Sequence, residues 1–258
     1  LGVGAIQPKT RGLLAIVVIL MVLSEAMRQG GKLEEIVERV RLLLRRPAAA
    51  MAALPAVIGL LPMPGGALFS APMVEAAAGS DRPTGAALSA VNYWFRHIWE
   101  FWWPLYPGVI LAVDLSQVGW GRFIAFNVPL TLFMAAGGLW TLRALHPNLQ
   151  AVGPPAPPGT KRRLVAAASP IWLVLVVWGV LKLALVLALG PAATREGADP
   201  AVRALHQYGP IAVALLVSLA VTARQDRLGW RGLGRVFATK RIYALGVLVL
   251  AVRVFQHV

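Results

Sequence analysis

Residues 47–78, PAAAMAALPAVIGLLPMPGGALFSAPMVEAAA, decide how this chain is read. The stretch follows Arg45-Arg46, stays apolar for about four turns, and then meets Leu61-Pro62-Met63-Pro64-Gly65-Gly66. Beyond the tip, helix-forming residues resume for roughly three turns. Two prolines remove two backbone donors and two glycines add freedom, so the tip cannot stay α-helical. Unpaired backbone at membrane depth is tolerated only where protein buries it or a watery cavity meets it. Broken helices of this kind supply the substrate and ion sites of secondary transporters. The stretch therefore points to transport and names no cargo.

The rest of the chain supports a membrane setting. Of 258 residues 58% are hydrophobic and 14% charged, and the mean hydropathy is +0.68. Apolar runs near twenty residues recur along the whole length, which predicts an all-α, polytopic membrane protein forming one transmembrane domain over residues 1–258. About six to seven transmembrane helices are expected besides a re-entrant helical hairpin. The net charge of +14 raises nucleic acid as a partner. The basic residues cluster at the ends of apolar runs, however, and positive-inside topology explains them better. Without cysteine, disulfides, thiolate metal sites and cysteine catalysis are excluded.

Gly12 to Arg28 is the first span; Leu13 to Leu23 lacks a small-residue cleavage site and is not read as a signal peptide. Lys32 to Arg46 sets Leu33, Ile36, Val37, Val40 and Leu43 at helical spacing against Glu34, Glu35, Glu38, Arg39 and Arg41. That pattern predicts an amphipathic helix on the bilayer surface. A second interrupted segment, Pro83 to Leu115, follows the broken hairpin. Phe123 to Leu142 is a clean span, and His146 to Arg163 a loop with the extended linker Gly153-Pro-Pro-Ala-Pro-Pro-Gly159. Leu164 to Leu189, Tyr208 to Thr222 and Ile242 to Val258 complete the apolar segments, with Pro170 starting or kinking the first of these.

Charge sets the topology. The basic segments Arg28 to Arg46, Lys161 to Arg163 and Arg224 to Arg241 are assigned to the cytoplasm and the nearly neutral Gly190 to Leu205 to the outside. The chain must then cross an even number of times between Arg46 and Lys161. Pro47 to Leu61 covers roughly 22 Å and Ala67 to Ala78 roughly 18 Å at the helical rise, each short of the ~30 Å hydrocarbon core. The pair is read as a re-entrant hairpin, the alternative being that Pro83 to Leu115 takes that role.

Two constellations could carry function. The tip offers Pro62, Met63, Pro64, Gly65 and Gly66, with Ser70 one turn into the second arm. Freed amides and the positive end of the following helix would hold an anion, and freed carbonyls ending the first arm could hold a cation. A kink that only shapes packing is the bland reading. The second is Asn92-Tyr93-Trp94-Phe95-Arg96-His97-Ile98-Trp99-Glu100. On a helix it would place Arg96 and Glu100 on one face with Asn92 a turn earlier and Tyr93 and His97 beside them. Such residues face a cavity or one another, or else form an interfacial aromatic belt with snorkelling charges. Glu25 and Asp114 read as helix-end carboxylates, and Lys182 as structural. No HExxH, Walker loop or GxSxG occurs, so no enzyme is expected.

The order of elements, with Ala15 to Leu44 followed by Arg46 to Pro72, resembles a gluconate-permease segment of the ion-transporter superfamily. Gly59-Leu-Leu-Pro-Met-Pro-Gly-Gly-Ala-Leu-Phe-Ser-Ala-Pro72 and Asn92 to Glu100 resemble more specifically the uncharacterised integral membrane family domain of unknown function 401. The superfamily resemblance implies sodium- or proton-coupled uptake, commonly of organic anions, although the acidic and Asn-rich tip motifs of its characterised members are missing here. The expectation is a cation-coupled permease for a small anionic solute in the inner (plasma) membrane, with Arg96 as counter-charge; the alternative is a non-transporting scaffold or assembly subunit. Expected partners are the solute and the bilayer, with a homodimer left open and no nucleic acid. No cofactor is expected beyond a coupling Na+ or H+. Ile242 to Val258 resembles Leu14 to Gly30 in opposite direction, as in an inverted repeat, which predicts that the natural protein continues for about a hundred or more residues.

Overall fold

The computed structural model describes residues 8–61, 66–78, 83–145, 154–189 and 200–227, with the single positions 232, 234 and 247. Its elements are all helices: α1 (Pro8–Gln29), α2 (Lys32–Leu43), α3 (Pro47–Gly59), α4 (Gly66–Ala78), α5 (Gly85–Arg96), α6 (Pro107–Ser116), α7 (Trp120–Leu145), α8 (Thr160–Ala167), α9 (Ser169–Leu189) and α10 (Pro200–Gln225). Among the described residues four stretches are long and apolar enough to cross a membrane: Arg11–Gln29, Trp120–Ala144, Ser169–Ala188 and Leu205–Gln225. The chain is an all-α protein with the helices of a membrane protein. Pro62 to Gly65 and Ile242 to Val258, with the repeat read into the latter, lie outside the described residues apart from Val247.

The helices fall into two compact units, residues 32–167 and residues 1–31 with 168–258. In the second, α10 packs against α1 and α9. Gly12 lets α1 press on the Tyr208 ring at one end, and Gly30 meets the Asp226 side chain at the other. The two helices therefore run parallel. Helix α9 runs antiparallel to α10: Ser169 Oγ donates to Gln225 Oε1 (3.2 Å) and Ser218 Oγ to the Pro170 carbonyl (2.8 Å). Parallel α1 and α10, with Arg28 and Arg224 in their last turns, match the direction that the charge rule gives both spans.

In the 32–167 unit the short helices cluster. Helix α3 packs on α4 and α5, and α5 packs on α4 and α7. Met51, Val74, Ala78, Val91, Phe95 and Leu142 form the buried core. Gly137 and Gly138 bring α7 against Trp94 and Phe95; a Cβ at Gly138 would stand 2.8 Å from the Phe95 ring. Helices α3 and α4 have 13 residues each, about 20 Å at the helical rise, and pair as a helical hairpin too short to span the core singly.

Four boundaries differ from the sequence reading. Helix α2 does not turn its apolar stripe to lipid: Leu33, Ile36, Val37 and Val40 are buried, and the helix packs on α8 and α3. Protein supplies the apolar partner that periodicity leaves unnamed. The 146–163 loop is shorter, because α8 starts at Thr160, whose hydroxyl donates to Pro157 O (2.6 Å). The polar 190–205 segment is helical from Pro200 on, since proline opens a helix readily. Helix α5 stops at Arg96, and residues 97–102 form turns ahead of Pro104.

Candidate functional site

The site begins with the demands of the broken hairpin. A helix C-terminus leaves carbonyls without intrahelical donors, and in α3 three of them are met from the 99–106 turn. Trp99 Nε1 donates to Ala56 O (2.8 Å), Trp103 Nε1 to Leu60 O (2.8 Å) and the Tyr106 hydroxyl to Gly59 O (2.6 Å). The aromatic run is thus a cap for the break rather than an interfacial belt alone. The same bonds engage the carbonyls that the sequence offered to a cation. The turn is fixed from α7 as well: Thr131 Oγ1 donates to Ile98 O (2.5 Å) and accepts from Trp102 Nε1 (2.8 Å).

The first turn of α4 is held by a polar clamp. The Ser70 hydroxyl, fully buried, lies 2.6 Å from Asn92 Oδ1 and also near Gly66 O (3.1 Å) and Ala67 O (3.3 Å). Asn92 Nδ2 donates to Ala67 O (2.9 Å). The pair thereby ties α5 to the first turn of α4 and orients the helix start.

Arg96 is different. It is 4% exposed, and Nη1 donates to the Tyr106 hydroxyl at 2.7 Å. Its Nε is buried with no hydrogen-bond acceptor. A buried donor left unmade costs about 1–3 kcal/mol, and more on a charged group. The Nε and Nη2 edge lies against Gly66, the first residue of α4: a Cβ there would stand 2.5 Å from Nη2 and 2.9 Å from Nε. Gly59 does the same for the backbone, since its Cβ would collide with the Arg96 carbonyl. Two glycines therefore let the hairpin close around one arginine.

The nearest counter-charge is loose. Glu100 Oε1 is 3.8 Å from Arg96 Nη1 and from His97 Nε2, and its side chain is 40% exposed. His97 Nδ1 donates to Tyr93 O (2.7 Å), and the two rings lie 4.6 Å apart. Tyr93 itself is 62% exposed. Of the residues singled out in sequence, Gly66, Ser70, Asn92 and Arg96 converge, Glu100 and His97 stand at the edge, and Tyr93 does not join. Pro62, Met63, Pro64 and Gly65 lie outside the described residues. Tyr106 was missed; its one signal was a hydroxyl beside Pro107-Gly108 in an apolar run.

A positive helix end, a buried guanidinium whose Nε has no acceptor and a broken apolar hairpin define the class: an all-α membrane protein whose polar groups gather at the break. A family model described as a protein of unknown function (DUF401) matches residues 4–191, more than half of the chain and every residue of this site, and the chain belongs to that family. No curated protein and no solved structure matches it.

Proposed function

We propose that the protein is a secondary active transporter of a small organic anion, cation-coupled and multi-pass in the inner or plasma membrane. The observation that carries this is the buried Arg96 Nε without an acceptor beside the first turn of α4. An anion there would gain a charge-assisted hydrogen bond from Arg96 and the favourable end of the α4 dipole together. The Ser70–Asn92 clamp and the Tyr106 hydroxyl keep both donors aimed, which is how binding is made strong without reorganisation. Glu100 is the resident counter-ion, close enough to balance Arg96 and loose enough to yield. No bond-making chemistry is assigned to the site. The hairpin and the interrupted 83–116 region are the moving or gating parts, in keeping with the gluconate-permease resemblance.

Uptake by proteoliposomes tests the proposal. Labelled small carboxylates are offered with an imposed sodium or pH gradient, with native protein and Arg96→Ala reconstituted in equal amounts. Saturable, gradient-driven uptake lost in Arg96→Ala is expected. Absence of uptake for every carboxylate, with folded protein in the vesicles, would favour a scaffold or assembly subunit.

A further inference from the structure

In the unit of α1, α9 and α10, Lys182 is the single charged residue of the Ser169–Ala188 span. Its Nζ does not stand alone: it lies 3.2 Å from His206 Nδ1 and 3.2 Å from the His206 carbonyl. His206 is 6% exposed, and its Nε2 is buried without a hydrogen-bond partner. Two basic nitrogens at this distance can share a hydrogen only if one presents a lone pair. With Lys182 as the ammonium, Nδ1 accepts and the imidazole hydrogen sits on Nε2, facing no acceptor.

Among the described residues no acid stands beside the pair. Helix α9 carries no other titratable residue. Helix α10 brings Arg203 one turn before His206 and Tyr208 just after it, and α1 brings Lys9 and Arg11 near the Gly12–Tyr208 contact. Glu25 and Asp226 belong to the opposite ends of α1 and α10, and Glu196 and Asp199 lie outside the described residues. The pair therefore holds one positive charge readily. A second would set two like charges 3.2 Å apart in a region of low dielectric. As a purely structural contact this is poor, because a buried unsatisfied N–H is a standing penalty.

We propose that Lys182 and His206 form a proton-binding site. The resting pair carries one proton, and a further proton on His206 Nδ1 removes the acceptor, makes the two charges repel, and releases α9 from α10 at this end. The site stands whether or not the chain transports an anion; if it does, proton binding here supplies a source of coupling.

Because the chain has no cysteine, spin labels can be placed by Val186→Cys on α9 and Val202→Cys on α10, both at exposed positions. Their separation is measured in lipid nanodiscs from about pH 8 to about pH 4, a window extended below the ordinary imidazole range because the second charge forms against Lys182. The native pair should lengthen by ångströms on acidification. His206→Gln keeps an acceptor for Lys182 but cannot titrate, and should hold the shorter distance at every pH. Lys182→Met should also remove the pH dependence. An unchanged distance in the native pair, or a shift that persists in His206→Gln, would overturn the proposal, and His206→Gln decides the matter even where Lys182→Met does not fold.

Discussion

The unit of residues 32–167 and the unit of α1, α9 and α10 treat their polar groups in contrasting ways. In the first, helices are short and broken, and the released backbone groups are caught from far along the chain. Trp99, Trp103 and Tyr106 reach carbonyls 43 to 47 positions away. In the second, helices run long, and side-chain hydroxyls add bonds to unbroken helices: Thr222 Oγ1 to Ser218 O within α10, and Ser218 Oγ to Pro170 O, 48 positions away on α9. A break creates a demand that only tertiary structure can meet. The broken unit should therefore be sensitive to single side chains at which the long-helix unit is tolerant.

Arg96→Ala is the severest way to break that comparison. It deletes the unpaired Nε donor with the charge, and anion affinity should fall about 100-fold or more, as when one partner of a buried charge pair is truncated. Arg96→Lys should keep a small remainder, because the charge stays while the fork of donors is lost. Equilibrium binding of a labelled carboxylate checks both.

Gly66→Val comes next. The added atoms must displace the guanidinium edge, so binding should be lost, with a stability cost of about 1–3 kcal/mol from overpacking. Binding at the native level would show that Gly66 is not where the anion approaches.

Tyr106→Phe should sharpen the difference without erasing function. It leaves Arg96 Nη1 with only the 3.8 Å contact to Glu100 and takes the hydroxyl donor from Gly59 O, at about 1–3 kcal/mol measured by chemical denaturation. Ser218→Ala in the other unit removes one bond to a carbonyl and should cost less, about 0.5–1.5 kcal/mol. Equal losses in the two variants would remove the contrast.

Much of the broken unit was legible in sequence because its signals are local. Pro and Gly at 62–66 announce the hairpin, and Arg96 with Asn92 in an apolar run announces a buried polar face. The end of α5 at Arg96 was not legible, since continuing the helix to Glu100 satisfies the same i, i+4 pattern. What ends it is the tying of Trp99, Trp102 and Trp103 to α3 and α7, contacts with no local trace. The burial of α2 was hidden for a related reason: periodicity fixes which face is apolar but not whether lipid or α8 covers it. Gly137-Gly138 read as ordinary helix residues until Trp94 and Phe95 were seen packed on them.

The most direct test of the central claim is the melting temperature of detergent-purified protein titrated with small carboxylates. A ligand that binds only the folded state raises stability with the logarithm of its concentration. The native protein should show that saturable rise with at least one carboxylate, and Arg96→Ala, folded to the same yield, should show none. A rise of equal size in both proteins would contradict the assignment of Arg96 as the anion-binding residue.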